Sequence, residues 1–231
     1  MENILKGKTV VIAGGSGPVG QAITARFHDQ GAICFSTSRQ VESESGFREI
    51  GEKQYRLGMD PGHYESINQA ISAVVDHFER LDVWIQVIGG FQSDGLVENT
   101  DIADWQRMLD LNFFTALRAT QAVLPQFKNQ GSGRLILFGA AAALDGMAKT
   151  GPYIISKAAV HALIRTTAKE LSGDITCNAI LPSTIDTPAN RSAMPSADFS
   201  NWISPDSIAE AIQDLLLSSK NGQLVELQAN Q

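Results

Sequence analysis

The sequence predicts a single α/β domain, residues 1–231, in which helices cover both faces of a doubly wound, seven-stranded parallel sheet. Apolar segments of strand length alternate along the chain with segments of helical periodicity. A glycine-rich turn joins the first strand to the first helix, and glycines or polar residues follow several later strands. Because right-handed crossovers bring the carboxyl ends of parallel strands to one edge, we expect these turns to converge there.

The composition excludes several classes of function. A net charge of -7 argues against a nucleic-acid-binding surface, and no apolar run is long enough to span a membrane. Cys34 and Cys177 lie in apolar, strand-like segments and read as buried thiols of a reducing compartment. The four histidines have no metal-ligand spacing, and residues 1–8 contain no apolar signal region. These features predict a cytoplasmic protein with no metal.

The first strand, residues 8–13, leads into a turn that fits G-x-G-x-x-G before a helix over 21–30. Without a Cβ, glycine lets the backbone approach a pyrophosphate, whose charge the helix N-terminus attracts. The alternative is a tight turn with no ligand. The strand before and the helix after favour dinucleotide binding by Gly14, Gly15, Ser16, Gly17, Pro18, Val19 and Gly20.

The second strand, residues 32–37, is followed by Ser38 and Arg39, where dinucleotide-binding folds often carry an acidic residue for the adenosine ribose. A basic residue there accommodates a 2′-phosphate, so the sequence favours NADP(H) over NAD(H). The alternatives are that Arg39 is only a solvated loop charge, or that the nearby Glu42 or Glu44 reverses the preference.

The next strand and helix are predicted over 55–59 and 64–80, and Asp60 between them is placed to contact an adenine edge. A strand over 81–88 then ends at Gly89 and Gly90, where the backbone again comes close to a ligand. Helices follow over 101–111 and 112–128. Asn112 lies at their junction, where its amide either caps a helix or organises a water.

The strand 135–138 precedes a helix over 152–171 that carries Tyr153 and, four residues later, Lys157. Residues at i and i+4 share one helical face, so the ammonium should favour the phenolate and lower the tyrosine pKa. Such a tyrosine can exchange a proton near neutral pH. The alternative is an incidental pair, but the predicted convergence of the turns favours catalysis.

The last third of the chain completes the alternation. Strands are predicted over 175–181 and 223–228, and Ser204 followed by Pro205 starts a helix to about 218. Residues 189–203, with little periodicity, predict a mobile loop.

Together these motifs resemble those of the short-chain dehydrogenase/reductase family, over essentially the whole chain. The resemblance implies a Rossmann-type fold and an NAD(P)(H)-dependent oxidoreductase. It implies that Tyr153 is the acid/base, that Lys157 lowers its pKa and binds the nicotinamide ribose, and that Asn112 holds a relay water. Ile88 and Gly89 would lie along the cofactor, and Ile185 and Thr187 would contact the nicotinamide carboxamide. It also implies a homodimer or homotetramer.

The main departure from the family pattern is Ala140, thirteen residues before Tyr153, where the family has a catalytic serine. Residues 139–146, 87–90, 185–191 and 194–200 are similar to dihydropteridine reductases, which share this loss. That subgroup passes a hydride to a quinonoid ring, but it normally has an aspartate after the second strand and prefers NADH.

The sequence therefore predicts an NADPH-dependent reductase whose small-molecule acceptor is either a carbonyl or a quinonoid, pteridine-like compound. Phe91, Trp202, Met194 and Phe199 are candidates for an apolar substrate wall and lid, with core packing as the alternative for each. The competing hypothesis is a dinucleotide-binding sensor or interaction protein that has lost catalysis with its serine.

Overall fold

The computed structural model describes residues 4–39, 46–93 and 95–228. It contains one eight-stranded, mostly parallel sheet with the order β3-β4-β2-β1-β5-β6-β7-β8. The strands are β1 Thr9–Ala13, β2 Ile33–Ser38, β3 Phe47–Gly51, β4 Gln54–Gly58, β5 Val83–Gln86, β6 Ser132–Phe138, β7 Asp174–Pro182 and β8 Leu224–Leu227. The order reverses direction at β1, as in a doubly wound fold, so the predicted fold class is confirmed.

The predicted number of strands is wrong by one, because the sequence pattern does not reveal β3. It pairs antiparallel with β4 at the edge of the sheet. In β3 only Phe47 is buried, and Arg48, Glu49 and Ile50 are exposed. An edge strand of this kind lacks the continuous apolar run of a strand that is buried on both faces.

Helices cover both faces of the sheet. They are α1 Pro18–Asp29, α2 Tyr64–Phe78, α3 Ile102–Met108, α4 Thr115–Gln130, α5 Gly151–Glu170, α6 Pro188–Ala193 and α7 Pro205–Leu217. Buried residues of α2, α4 and α5 pack with Trp84 on one face, while those of α1 and α7 pack with Ile85 on the other. Neighbouring residues of β5 thus serve opposite cores. In the described ranges, no helix has the length and apolarity to cross a bilayer.

Two local predictions differ from the structure. The predicted break between residues 111 and 112 is instead a π-helical turn, Leu109–Phe114, that joins α3 to α4 and contains Asn112. The segment predicted as a loop over 189–203 contains most of α6 and a short 3-10 turn, Phe199–Asn201. Thr187 caps α6 by accepting a hydrogen bond from the Asn190 N–H, so side-chain capping forms a helix that apolar periodicity does not reveal.

Candidate active site

A cavity of about 770 Å³ opens at the carboxyl edge of the sheet, where β1, β5, β6 and β7 end. It is lined by many of the residues that the sequence singled out. These are Gly14, Gly17, Pro18, Val19, Gly20, Ile88, Gly89, Gly90, Phe91, Ala140, Tyr153, Lys157, Ile185 and Met194. Parallel strands therefore bring together turns that lie far apart in the sequence.

The glycine turn forms one end of the cavity at the N-terminus of α1. Gly17 is the N-cap residue and makes no side-chain cap, and Pro18 occupies the first turn. A Cβ on Gly15 would lie 2.5 Å from Ser36 Cβ, and one on Gly20 would lie 2.4 Å from Gly15 Cα. A Cβ on Gly17 would meet nothing nearer than 3.8 Å. Two of these glycines therefore allow close packing, and Gly17 leaves open space at a helix N-terminus that fits a pyrophosphate.

Asn112 lies behind the second glycine turn rather than in the cavity lining. It is 1% exposed, its Oδ1 accepts the Gly90 N–H at 2.9 Å, and its Nδ2 donates to the Gly90 carbonyl at 3.0 Å. Nδ2 also donates to Ser156 Oγ at 3.0 Å. A Cβ on Gly89 would lie 2.7 Å from Asn112 Oδ1. The amide therefore positions the turn through protein contacts, and its role in holding a relay water stays a prediction.

Tyr153 and Lys157 lie on α5 and both line the cavity. The Phe91 ring packs edge-on against the Tyr153 ring, with 5.0 Å between centroids. Lys157 Nζ donates a hydrogen bond to the Phe138 carbonyl at 2.8 Å, and burial lowers the pKa of Lys157 to about 8. Burial raises the pKa of Tyr153 to about 12. The expected lowering of the tyrosine pKa is therefore wrong for this structure, because desolvation dominates.

The position of the missing serine is a buried, apolar part of the cavity wall. Ala140 is 3% exposed, and Ala141 and Ala142 continue the lining. The Ala140 N–H donates to His161 Nε2 at 3.3 Å. Residues 139–143 are one glycine and four alanines, so this part of the cavity wall supplies no side-chain hydroxyl.

Ser38, Arg39 and Asp60 lie at the same sheet edge but outside the cavity lining. Ser38 ends β2, and its carbonyl accepts the Met59 N–H at 2.9 Å, which brings Asp60 close. The pKa of Asp60 is lowered, mainly because its carboxylate accepts the Gly62 N–H. The His63 side chain and the Arg39 charge lower it further. The carboxylate thus already has partners within the protein. The alternative acidic residues 42 and 44 lie outside the described part of the chain.

The segment after β7 covers one side of the cavity. Ile185 and Met194 line it, whereas Thr187 caps α6. The Arg191 guanidinium pairs with Asp186 at 2.6 Å and lies 4.6 Å from the Phe199 ring centroid. Phe199 in turn packs on Trp202. Of the four candidate wall residues, Phe91 and Met194 therefore reach the cavity, while Phe199 and Trp202 pack on each other beside it.

Sequence reasoning missed several residues that shape the site. The lining also includes Val87, Phe138, Gly139, Ala141, Ala142, Met147, Pro182, Ser183, Thr184 and Asn190. Two residues of α5 were also missed: Ser156 accepts a hydrogen bond from Asn112, and His161 accepts one from Ala140. The sequence does indicate that His161 belongs to the site, because it lies four residues after Lys157 and therefore on the same helical face.

Comparison with known proteins supports these observations. A family model described as short chain dehydrogenase matches residues 8–198. The dihydropteridine reductase of Dictyostelium discoideum is 27% identical over 228 residues, which cover 96% of this chain and 94% of that protein. A solved structure of an ElxO variant with NADPH bound has a TM-score of 0.85 at 24% identity, covering 95% of this chain and 96% of that one. The 3-ketoacyl-(acyl-carrier-protein) reductase from Brucella melitensis, complexed with NADH, has a TM-score of 0.83 at 21% identity, covering 98% of each chain. The two structures share the fold, and their different cofactors leave the choice between NADPH and NADH to this chain's own residues.

Proposed function

Because the chain belongs to the short-chain dehydrogenase family of NAD(P)(H)-dependent oxidoreductases, we propose that it uses NADPH to reduce a small, uncharged carbonyl or quinonoid acceptor. The observation that carries this proposal is the position of Tyr153 and Lys157. Both line the same cavity as the glycine turn, although more than 130 residues separate the two motifs in the sequence.

Tyr153 is the proton donor in this proposal. With a pKa of about 12 the phenol keeps its proton at neutral pH, so it is ready to protonate the acceptor as the hydride arrives. Lys157 lines the same cavity and, with a pKa of about 8, is mostly charged at pH 7, so it supplies positive charge to the site. The edge-on Phe91 ring restricts the direction in which the phenol can turn.

The cofactor would supply the hydride when bound. Residues 14–20 would hold the pyrophosphate at the start of α1, and Lys157 would bind the nicotinamide ribose. Arg39 and Ser38 would accommodate the 2′-phosphate, which is the basis for proposing NADPH over NADH. The remaining cofactor contacts would come from Asp60, Ile88, Gly89, Gly90, Ile185 and Thr187.

The acceptor faces a largely apolar wall. Phe91, Met147 and Met194 line the cavity together with the alanines at 140–142. Without a serine hydroxyl, a carbonyl substrate loses one donor to its developing alkoxide, a loss worth about 10²–10³ in rate. A quinonoid acceptor forms no alkoxide, and the relative named dihydropteridine reductase supports that class.

We further propose a cytoplasmic homodimer or homotetramer in which 1–231 forms one domain. Support for self-association comes from apolar side chains that lie exposed near the start of α4 and on α5. Ile155 is 50% exposed and Phe114 is 37% exposed.

The test is NADPH oxidation with a quinonoid dihydropterin and a panel of small ketones, for the wild type and Tyr153→Phe. We expect the wild type to reduce at least one acceptor. The variant should lose about 10²–10⁴ in kcat, because the proton donor is gone. It should still bind NADPH, because residues 14–20 and Lys157, which would hold the cofactor, are unchanged. If wild type and variant both bind NADPH and are equally inert, the protein is a dinucleotide-binding sensor instead.

A further inference from the structure

His161 is a buried histidine at the active site that the proposed chemistry does not use. It is 4% exposed and lies four residues after Lys157, so the two side chains leave α5 on the same face. Its Nε2 accepts the Ala140 N–H at 3.3 Å, which requires the tautomer with the proton on Nδ1. A Cβ on Gly139 would lie 2.4 Å from Nε2, so the ring packs directly on this backbone.

The end of β6 has backbone groups that no strand can satisfy. Gly139 N–H donates to the Ile180 carbonyl of β7 at 2.9 Å, so the adjoining Phe138 carbonyl and Ala140 N–H face the other way, towards β5. β5 has already ended, since its last pair with β6 is Gln86 with Leu137. Ala140 is still extended, with φ -155° and ψ 137°, so the alternation of the strand continues to this residue.

Two side chains of α5 take the place of the missing strand. Lys157 Nζ donates to the Phe138 carbonyl at 2.8 Å, and His161 Nε2 accepts from the Ala140 N–H. Four residues of helix rise about 6 Å, and two residues of strand span about 7 Å. The spacing of Lys157 and His161 along α5 therefore matches the spacing of the Phe138 carbonyl and the Ala140 N–H along β6.

We propose that His161 is a positioning residue: together with Lys157 it clamps the end of β6 to α5, and so fixes Ala140 relative to the Tyr153 hydroxyl. The clamp holds the cavity wall at Ala140 in place, where the family's serine hydroxyl is absent. Burial, then the charges of Arg165 and Lys157, lower the pKa of His161 to about 4, so the ring remains a neutral acceptor at working pH. The inference rests on the proposed function, since positioning matters only if Tyr153 donates a proton.

The test compares His161→Met with His161→Gln. Methionine fills the space without a comparable acceptor, whereas the amide oxygen of glutamine reaches about as far from Cα as Nε2 does. We expect His161→Met to lose about tenfold to hundredfold in kcat, the cost of a misplacement of about 1 Å, and His161→Gln to stay near the wild type. The Kd for NADPH should stay near the wild-type value in both variants.

A second measurement does not need activity. Amide hydrogen exchange at Ala140 should accelerate in His161→Met and not in His161→Gln, with the Gly139 N–H as the internal reference because its acceptor is on β7. Nitrogen-15 NMR of the wild-type ring should show Nε2 without a proton.

The outcomes separate the two proposals. A wild type that is inert with every acceptor overturns the proposed function and the positioning role with it. An active wild type whose His161→Met variant keeps full kcat, or whose His161→Gln variant is as poor as His161→Met, overturns the clamp alone. Unchanged exchange of the Ala140 amide in His161→Met also overturns the clamp. A wild-type His161 ring that carries its proton on Nε2 overturns it as well, and this measurement does not depend on whether a variant folds.

Discussion

The affinity for NADPH should fall as the pH rises through about 8, because the cation that would meet the nicotinamide ribose is a lysine with a lowered pKa. Burial lowers the pKa of Lys157 to about 8. With that value, about 90% of the side chain is charged at pH 7 and about 10% at pH 9. If only the charged form binds the anionic cofactor well, the Kd should rise by up to about tenfold, or about 1.4 kcal/mol, between these pH values.

The assay is a fluorescence titration of NADPH between pH 6.5 and 9.5. The wild type and Tyr153→Phe should show the same rise in Kd near pH 8, since the pKa of Tyr153, about 12, lies outside the range. Lys157→Met should bind weakly at every pH, close to the wild-type affinity at high pH. A wild-type Kd that stays constant to pH 9.5, or an equal rise in Lys157→Met, would refute the reasoning.

Three further predictions concern cofactor choice, the cavity wall at Ala140 and the packing of the glycine turn. Arg39→Ala should weaken NADPH binding by about tenfold or more and leave NADH binding unchanged, because only NADPH carries the 2′-phosphate; equal losses in parallel titrations would contradict this. Ala140→Ser should raise kcat for ketones, by at most about 10²–10³, and leave kcat for a quinonoid dihydropterin unchanged, which steady-state assays can measure. Gly15→Ala should lower the free energy of unfolding by about 1–3 kcal/mol in urea titrations, because the new methyl would lie 2.5 Å from Ser36 Cβ. Gly17→Ala is its control: it should unfold like the wild type but bind NADPH more weakly, since its methyl enters open space at the helix N-terminus.

The fold was largely predictable because most of its strands are buried on both faces. All five residues of β1 are buried and the four from Val10 to Ala13 are apolar, so the strand is visible in the sequence as an apolar run. The edge strand β3 buries only Phe47 and was missed. The π-helical turn around Asn112 was missed for another reason: the chain stays helical there, and an added residue in one turn leaves little trace in the apolar pattern.

The candidate site was predictable in its members but not in its electrostatics. The turn at 14–20 and the Tyr153–Lys157 pair are short-range patterns, and the direction of parallel strands predicts that they meet. The pKa of Tyr153 depends on how much water the surrounding cavity wall excludes, which involves residues from several distant segments. Desolvation reversed the predicted direction of that shift.

The sequence by itself determined the alternation of strands and helices, the glycine turn and the spacing of tyrosine and lysine, because each follows from periodicity or from neighbouring residues. Only the tertiary structure decided that β5 ends before β6, and that His161 and Lys157 therefore bind the backbone groups at the unpaired end of β6. Which backbone groups lack a strand partner depends on the register between strands far apart in the chain, and no local pattern encodes it.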